Sequence, residues 1–320
     1  MENKETNIFY HYTSLDAIYN IIQSKTFRLT SLLSSNDKTE LSYYSPDIFI
    51  EDFESICLNE ENDFYLTKYI ELLTSIKEHK DAFEQLCRHA VSPFGLCFAS
   101  KRDNLTHWDR YADNCKGGCI CVDRNVLIQH LRKRDSFGWG IFLMDIGKIL
   151  YHHEEIIDTL RNSLNHLIDD FEKENKSCGK IGFAWAASIY KQIANFVKNP
   201  SFVDEDELRL YFDAQSFDTA RFLIGFCKEN SITNDKNEDI ETEYSASISG
   251  IQIEQEHFCM TSRGIRSYHN LNLSEIWNSS LIPEIILGPM CIQNEIELKK
   301  FLKYYGLENT IISVSEIPIR

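Results

Sequence analysis

An acidic row that ends in an arginine is the group of side chains best suited to chemistry in this sequence. Glu205, Glu207 and Arg209 alternate with Asp206 and Leu208. Alternate residues of a β-strand lie on one face, so the two glutamates and the arginine are expected on the same side of a strand. Neighbouring carboxylates repel each other unless a cation, a ligand or a proton compensates the charge. The alternative interpretation is a solvent-exposed edge strand, because rows of charge are common on protein surfaces.

A second polar group lies near the start of the chain, where an aromatic-rich strand ends. His11, Tyr12 and Thr13 follow the run Ile8-Phe9-Tyr10. An imidazole and phenols at a strand end can form hydrogen bonds with ribose hydroxyls, and their rings can stack on a flat base. The alternative is a core histidine packed beside tyrosines.

Three further side chains lie between these groups and are candidates for the wall of a pocket. Ser100 closes the strand-like run Cys97-Phe98-Ala99, and Trp108 and Tyr111 follow it. Residues three apart share one face of a helix, so Trp108 and Tyr111 would project together. The alternative is that both rings belong to the core, where large aromatic side chains are common.

The cysteines and histidines lack the spacing of a metal site. Cys115, Cys119 and Cys121 contain no CxxC pair, which is the usual spacing of zinc ligands. The run His152-His153-Glu154-Glu155 lacks the HExxH spacing that brings two histidines together on a helix. We therefore expect no metal.

These groups need a sheet to position them, and the apolar pattern predicts one. Short runs rich in β-branched and aromatic residues predict strands at 8–12, 27–30, 95–99, 118–122, 208–212, 284–288 and 310–314. Apolar residues at helical spacing predict helices within 46–92 and 152–197 and at 295–305. The polar, acidic segment 228–243 is expected to be a loop.

The fold class expected from this order of elements is α+β. We expect a single elaborated domain over residues 1–320, in which 46–92 and 152–197 are helical insertions. The strand 8–12 and the strand around 205–211 are expected in one sheet. That arrangement would bring His11 near Glu207.

Composition limits the function classes. The chain has 320 residues, of which 43% are hydrophobic, and a formal net charge of -16. Such an acidic surface repels phosphate backbones, so bulk nucleic-acid binding is not expected. No apolar run approaches the ~20 residues that cross a bilayer, and no secretory signal is visible. We expect a cytoplasmic protein without membrane contact, whose cysteines are reduced thiols.

In its motifs the chain resembles a large bacterial family of uncharacterised domains, filed as a domain of unknown function. The motifs occur in the family's order, with Lys38 in place of the usual proline. They lie at residues 10–14, 36–40, 97–100, 108–112, 116–120, 198–209 and 285–289. The family's name supplies no activity.

A second resemblance, to ADP-ribosyltransferases, does imply an activity. The opening strand-helix-strand with His11 is similar to their NAD-binding start, and Glu205-Asp206-Glu207 is similar to their Glu/Gln-x-Glu strand. Ala99-Ser100 is the nearest match to their Ser-Thr-Ser strand, and Arg209 is not part of their signature. The resemblance implies an ADP-ribosyltransferase-like mixed sheet with NAD as substrate.

Residue roles follow from this second resemblance. His11 would hold the ribose, Tyr12 would stack on nicotinamide, Glu207 would be catalytic and Glu205 would act on the acceptor. A carboxylate near the ribose 2′-hydroxyl stabilises the positive charge of an oxocarbenium-like transition state. The other predicted NAD contacts are Thr13, Ser100, Trp108, Tyr111 and Arg209.

Three hypotheses result. The first is an NAD-dependent ADP-ribosyltransferase or NAD glycohydrolase that acts as a toxin or a phage-defence effector. Its ligand would be a nucleotide, and the sequence does not identify its acceptor. The second is a non-catalytic sensor of a nucleotide-like ligand or a partner. The third, a metal-dependent phosphodiesterase, lacks a further ligand spaced with Glu205 and Glu207.

Overall fold

The computed structural model describes residues 7–35, 37–87, 93–132, 144–173, 182–214, 253–261 and 264–318. The chain divides into two compact units. Unit 1 comprises Met1–Ser34, Ser92–Lys148 and Asp204–Arg320, and unit 2 comprises Ser35–Val91 and Ile149–Val203. The expectation of one elaborated domain stays a prediction. The loop expected at 228–243 lies outside the described residues.

The described part of unit 1 contains a ten-stranded sheet. Its strands are β1 (Ile8–Thr13), β2 (Thr26–Ser31), β3 (Pro93–Ala99), β4 (Gly118–Asp123), β5 (Met144–Lys148), β6 (Glu207–Asp213), β7 (His257–Thr261), β8 (Gly264–Asn272), β9 (Glu284–Leu287) and β10 (Ile311–Val314). Neighbouring strands are antiparallel except for β9 and β10, which are parallel. The segments predicted as strands from the sequence all contribute to this sheet.

The described residues also form α-helices in both units. They are α1 (Leu15–Ser24), α2 (Pro46–Leu58), α3 (Asp63–Glu78), α4 (Lys80–Cys87), α5 (Leu105–Tyr111), α6 (Arg124–Arg132), α7 (His153–Lys173), α8 (Gly182–Ala194) and α9 (Glu295–Tyr304). A 3-10 helix at Pro200–Glu205 precedes β6. The protein is therefore mixed α/β, with a multistranded mixed sheet. Among the described helices, none combines the length and the apolar character needed to cross a membrane.

Strand β3 lies at a fork in the sheet. One edge of β3 pairs with β6 from Pro93 to Ala99. The other edge is shared, because β2 pairs at Phe94 and Gly95 whereas β1 pairs at Ala99. The carbonyl of Cys97, between these two pairings, accepts a hydrogen bond from His11 Nδ1 at 3.1 Å. The side chain of His11 thus satisfies the Cys97 carbonyl, which the fork leaves without a hydrogen-bond partner on a neighbouring strand.

The register assigns the central side chains to two faces of the sheet. Tyr10 of β1 is opposite Ala99 of β3, and Ala99 is opposite Glu207 of β6. These residues therefore share one face, which we call the Glu207 face. Because successive strand residues alternate, His11 and Phe98 lie on the other face, which we call the His11 face. The main hydrophobic core of unit 1 packs on the His11 face.

Unit 2 has its own helical core. Helices α2, α3, α4, α7 and α8 pack through buried aromatic and aliphatic side chains. Two residues of the family motifs meet here: Lys198 Nζ lies 3.8 Å from Glu40 Oε2, with both side chains buried. This pair joins the two chain segments of unit 2 and has a structural role.

Two motif glycines are required by close packing of the backbone. Gly288 N–H donates to Gly117 O at 3.0 Å. A Cβ atom on Gly117 would lie 2.2 Å from Thr13 O, and one on Gly288 would lie 2.4 Å from Cys115 O. No side chain fits at such distances. These glycines therefore serve packing between β1, β4 and β9.

Replacing Gly117 by alanine should destabilise the protein more than replacing Gly306. The Gly117 Cβ would overlap backbone, which costs about 3 kcal/mol or more at the upper end of overpacking effects. Gly306 has φ +85° and open space around its Cβ position, so its replacement costs only about 1–2 kcal/mol of left-handed strain. Urea unfolding of both variants measures the difference. Equal midpoints would contradict the close approach at Gly117.

Candidate functional site

Glu207 and Arg209 form a buried ion pair on the Glu207 face. Arg209 Nε–H donates to Glu207 Oε1 at 2.8 Å, and the side chains are 1% and 5% exposed, Arg209 first. Strand β6 pairs with β3 on one side and β5 on the other. The alternative of a solvent-exposed edge strand is therefore wrong for this segment. The prediction that the glutamate and the arginine share a face is correct.

Glu205, in contrast, does not belong to this strand. It ends the 3-10 helix, and Asp206 follows with φ +40° in the left-handed region. Asp206 is held there by Ser100, whose hydroxyl donates to its carboxylate and whose N–H donates to its carbonyl at 3.2 Å. Lys101 Nζ lies 3.3 Å from the same carboxylate. The strand alternation expected across Glu205 and Glu207 is wrong because Asp206 breaks it.

Helix α5 brings Tyr111 and His107 to Glu205. The Tyr111 hydroxyl donates to Glu205 Oε1 at 2.5 Å. His107 Nε2–H donates to the Glu205 carbonyl at 2.8 Å. Tyr111 and His107 are four residues apart, so they project from one face of the helix. Glu205 is therefore buried under α5 and hydrogen-bonded by it.

His107 is a neutral imidazole with one nitrogen that receives no hydrogen bond. The side chain is 4% exposed. Burial lowers the pKa of His107, although the hydrogen bond to the Glu205 carbonyl acts in the opposite direction. With the proton on Nε2, Nδ1 is an acceptor. Within the part of the chain that the structure describes, no group donates to Nδ1.

Tyr12 and Trp108 support α5 and are core residues. The Tyr12 hydroxyl donates to Lys101 O at 3.0 Å and accepts from Asn104 N–H at 3.1 Å. Trp108 is 0% exposed, and its Nε1–H donates to Asp103 Oδ1 at 2.7 Å. The two rings meet edge to face, with centroids 4.8 Å apart. As they stand, neither ring is open to stacking on nicotinamide.

His11 and Thr13 lie on the face opposite Glu207. The His11 ring contacts Phe27 and Phe98 at centroid distances of 5.5 and 5.8 Å. The prediction of one sheet for β1 and β6 is correct. The prediction that this sheet brings His11 near Glu207 is wrong. The side chains of Tyr10 and Tyr12 lie on the Glu207 face, and His11, between them in the strand, points to the opposite face.

Left-handed backbone flanks the Tyr111–Glu205 hydrogen bond on both sides. Asp206 directly follows Glu205, and the three consecutive residues 113–115 have φ values of 50°, 49° and 69°. Asp and Asn adopt the left-handed region more readily than other residues with a side chain, whereas Cys115 there costs about 1–2 kcal/mol. Such strain persists only where surrounding contacts hold it. Here Cys115 N–H donates to Trp108 O at 2.9 Å.

The sequence interpretation missed His107, Asp206 and Asp103. The spacing of His107 and Tyr111 at i and i+4 could have indicated that they share a helix face. No local pattern marks Asp206 as left-handed or Asp103 as the acceptor for Trp108. Among the described residues, no group of His, Cys, Asp and Glu side chains could hold a metal ion.

The comparisons with known proteins concern this same segment. Residues 107–210 match the family model described as Protein of unknown function (DUF2971). The match confirms the resemblance to an uncharacterised family. It includes His107, Tyr111, Glu205, Glu207 and Arg209. The comparisons with curated proteins and with solved structures gave no match.

Replacing His107 by glutamine should make stability less dependent on pH. Because burial lowers the pKa of His107, the unfolded chain takes up its proton near the ordinary value of about 6.5 before the folded protein does. Stability is then complete above that value and falls as the pH is lowered through it. The pKa of His11 is also lowered by burial, but His11 is present in both proteins. Urea midpoints at about pH 5.5 and 7.5 measure the effect, and an equal slope would contradict a neutral His107.

Replacing Glu207 by glutamine should destabilise the fold far more than the same change at Glu297. The first change removes a carboxylate that bonds the buried guanidinium of Arg209, and breaking such a pair costs about 3–5 kcal/mol. Glu297 pairs with Lys300 on the surface at 3.0 Å, where pairs contribute about 1 kcal/mol or less. Denaturant unfolding of both variants tests this, and similar losses would contradict it.

Proposed function

We propose that the protein cleaves the nicotinamide–ribose bond of NAD, as an ADP-ribosyltransferase or an NAD glycohydrolase with an ADP-ribosyltransferase-like α+β fold. The observation that carries the proposal is the convergence of Glu205, Glu207, His107 and Tyr111 at the start of β6. An enzyme that consumes NAD in this way would be suited to act as a toxin or a phage-defence effector.

The fork in the sheet supports this choice. The opening β1-α1-β2 unit meets one edge of β3, and the acidic pair lies at the other edge, on β6 and just before it. The order of these elements is the order implied by the resemblance to ADP-ribosyltransferases. His11 does not fill the expected role, since it caps Cys97 on the other face. In our proposal, His107 takes that role as a neutral imidazole beside the carboxylates.

The chemistry assigns different tasks to the two glutamates. The C1′–N bond breaks and its electron pair leaves with nicotinamide, while an acceptor oxygen forms the new bond to C1′. Glu207 stabilises the positive charge that develops on the ribose. Glu205 accepts the proton of the acceptor hydroxyl or water as a general base. Arg209 offsets the cost of burying the Glu207 charge.

A second candidate is a non-catalytic sensor of a nucleotide-like ligand. The observation that favours it is that both glutamates of the cluster are bonded within the protein. Arg209 compensates Glu207, and Tyr111 donates to Glu205. A sensor has to bind its ligand selectively, and it does not require a carboxylate whose charge is left uncompensated.

The test is nicotinamide release from labelled NAD by the wild type, Glu207→Gln and the surface control Glu297→Gln. Loss of one preorganised charge contact lowers the rate by ~10²–10³, while NAD affinity changes far less. Because Glu207→Gln also removes a buried ion-pair partner, circular dichroism must show that it is folded. Glu205→Gln is the second variant, since glutamine still accepts the hydrogen bond of Tyr111. We expect it to slow transfer to the acceptor.

Binding is measured separately through Cys97. This thiol is exposed although it lies in the interior of the sheet, opposite Arg209 in the register. Bound NAD should protect Cys97 from alkylation, as resolved by mass spectrometry. Protection without nicotinamide release under any acceptor would favour the sensor. A wild type that neither protects Cys97 nor consumes NAD would refute the proposed NAD-cleaving activity.

A further inference from the structure

We propose that Tyr111 occupies, on Glu205, the position that the hydroxyl group of the acceptor takes during the reaction. This inference rests on the proposed function and deepens it. It assigns the acceptor to the class of O–H donors, such as water or an alcohol, and it makes Tyr111 a gate for that position.

The first argument is the chemistry of the contact. A phenol hydroxyl donates to Glu205 Oε1, as the hydroxyl of a nucleophile donates to its general base. The half-buried Tyr111 therefore presents to the carboxylate the same group that an acceptor would present. An acceptor hydroxyl can replace it without leaving the buried Glu205 carboxylate without a donor.

The second argument is that the cluster contains a buried hydrogen-bond acceptor, His107 Nδ1, that lacks a donor among the described residues. His107 is 4% exposed, its Nε2–H is used by the Glu205 carbonyl, and no described group donates to Nδ1. Leaving a buried acceptor without a donor costs about 1–3 kcal/mol. A ligand that carries hydroxyl groups would supply the donor.

The third argument is that both partners are held in place independently of their shared hydrogen bond. Beyond Tyr111, the turn is fixed by Gly117 N–H, which donates to Ala112 O at 2.8 Å. Beyond Glu205, Asp206 is fixed by the backbone and side chain of Ser100. The Tyr111–Glu205 hydrogen bond can therefore exchange for one to a ligand while the surrounding backbone stays in position.

The proposal predicts a difference between product and substrate. ADP-ribose carries a hydroxyl on the carbon where NAD carries nicotinamide, and after hydrolysis that hydroxyl lies in the acceptor position. ADP-ribose must therefore compete with Tyr111 for Glu205. NAD lacks this hydroxyl and does not compete.

The experiment compares Tyr111→Phe with Tyr65→Phe by calorimetry. The probes are ADP-ribose and carba-NAD, an analogue that resists cleavage. Tyr65 is a matched control because its hydroxyl also donates to a carboxylate, that of Asp169, at 2.9 Å. Removing the competing hydrogen bond should tighten ADP-ribose binding by about two- to tenfold. Carba-NAD binding should stay unchanged, and Tyr65→Phe should bind both ligands as the wild type does.

The other outcomes overturn the inference in separable ways. If Tyr111→Phe binds ADP-ribose no more tightly, or tightens both ligands equally, Tyr111 is not at the acceptor position, although continued nicotinamide release would leave the proposed function standing. Label transferred from NAD to Tyr111 itself would overturn the gate, because the phenol would then be the acceptor and would not be displaced by another hydroxyl. If Tyr111→Phe and Tyr65→Phe both fail to bind ADP-ribose and carba-NAD, the proposed function fails together with the inference.

Discussion

The architecture of unit 1 depends on a constraint at β3, a strand with two edges and three neighbours. Strand β6 takes one edge in full, so β1 and β2 must divide the other. The division leaves the carbonyl of Cys97 between them, and His11 satisfies it. The same fork places β6 next to the strand that β1 and β2 share. The position of the acidic residues at the start of β6 thus follows from how β3 pairs.

Electrostatic compensation explains why charged residues can be buried on the Glu207 face. A carboxylate transferred from water to a protein interior needs a cation or several hydrogen bonds. Glu207 has the guanidinium of Arg209, and Glu205 has the hydroxyl of Tyr111. Asp206 between them has Ser100 and Lys101. Each acidic residue is therefore matched with a donor of its own.

This compensation bears on the choice between an enzyme and a sensor. A carboxylate already paired with arginine stabilises a developing positive charge less than an uncompensated one would. A phenol hydrogen bond to a carboxylate, by contrast, contributes about 1.5–3 kcal/mol net, which a ligand hydroxyl can replace. Of these two contacts, the hydrogen bond from Tyr111 to Glu205 is thus the one that a ligand can more readily replace. The strained backbone on both sides of this contact is consistent with a site under functional constraint.

The family motifs have physical explanations that differ from one another. Gly117 and Gly288 are required because backbone segments approach too closely for a Cβ atom. Trp108 anchors α5 through Asp103. Lys198 is buried against Glu40 in unit 2. Much of what the family resemblance identified therefore maintains the fold, and the group with chemical potential is the smaller set around Glu205.

The amino-acid sequence by itself determined seven of the ten described strands, most helices, the mixed α/β class and the shared face of Glu207 and Arg209. These features follow from local periodicity, which depends only on neighbours in the chain. Tertiary structure decided the rest. The register of β1 against β3 set the face on which His11 lies. A left-handed Asp206, held by Ser100 just beyond the end of β3, excluded Glu205 from strand β6. Such contacts join residues that are distant in the chain, so no local pattern carries them.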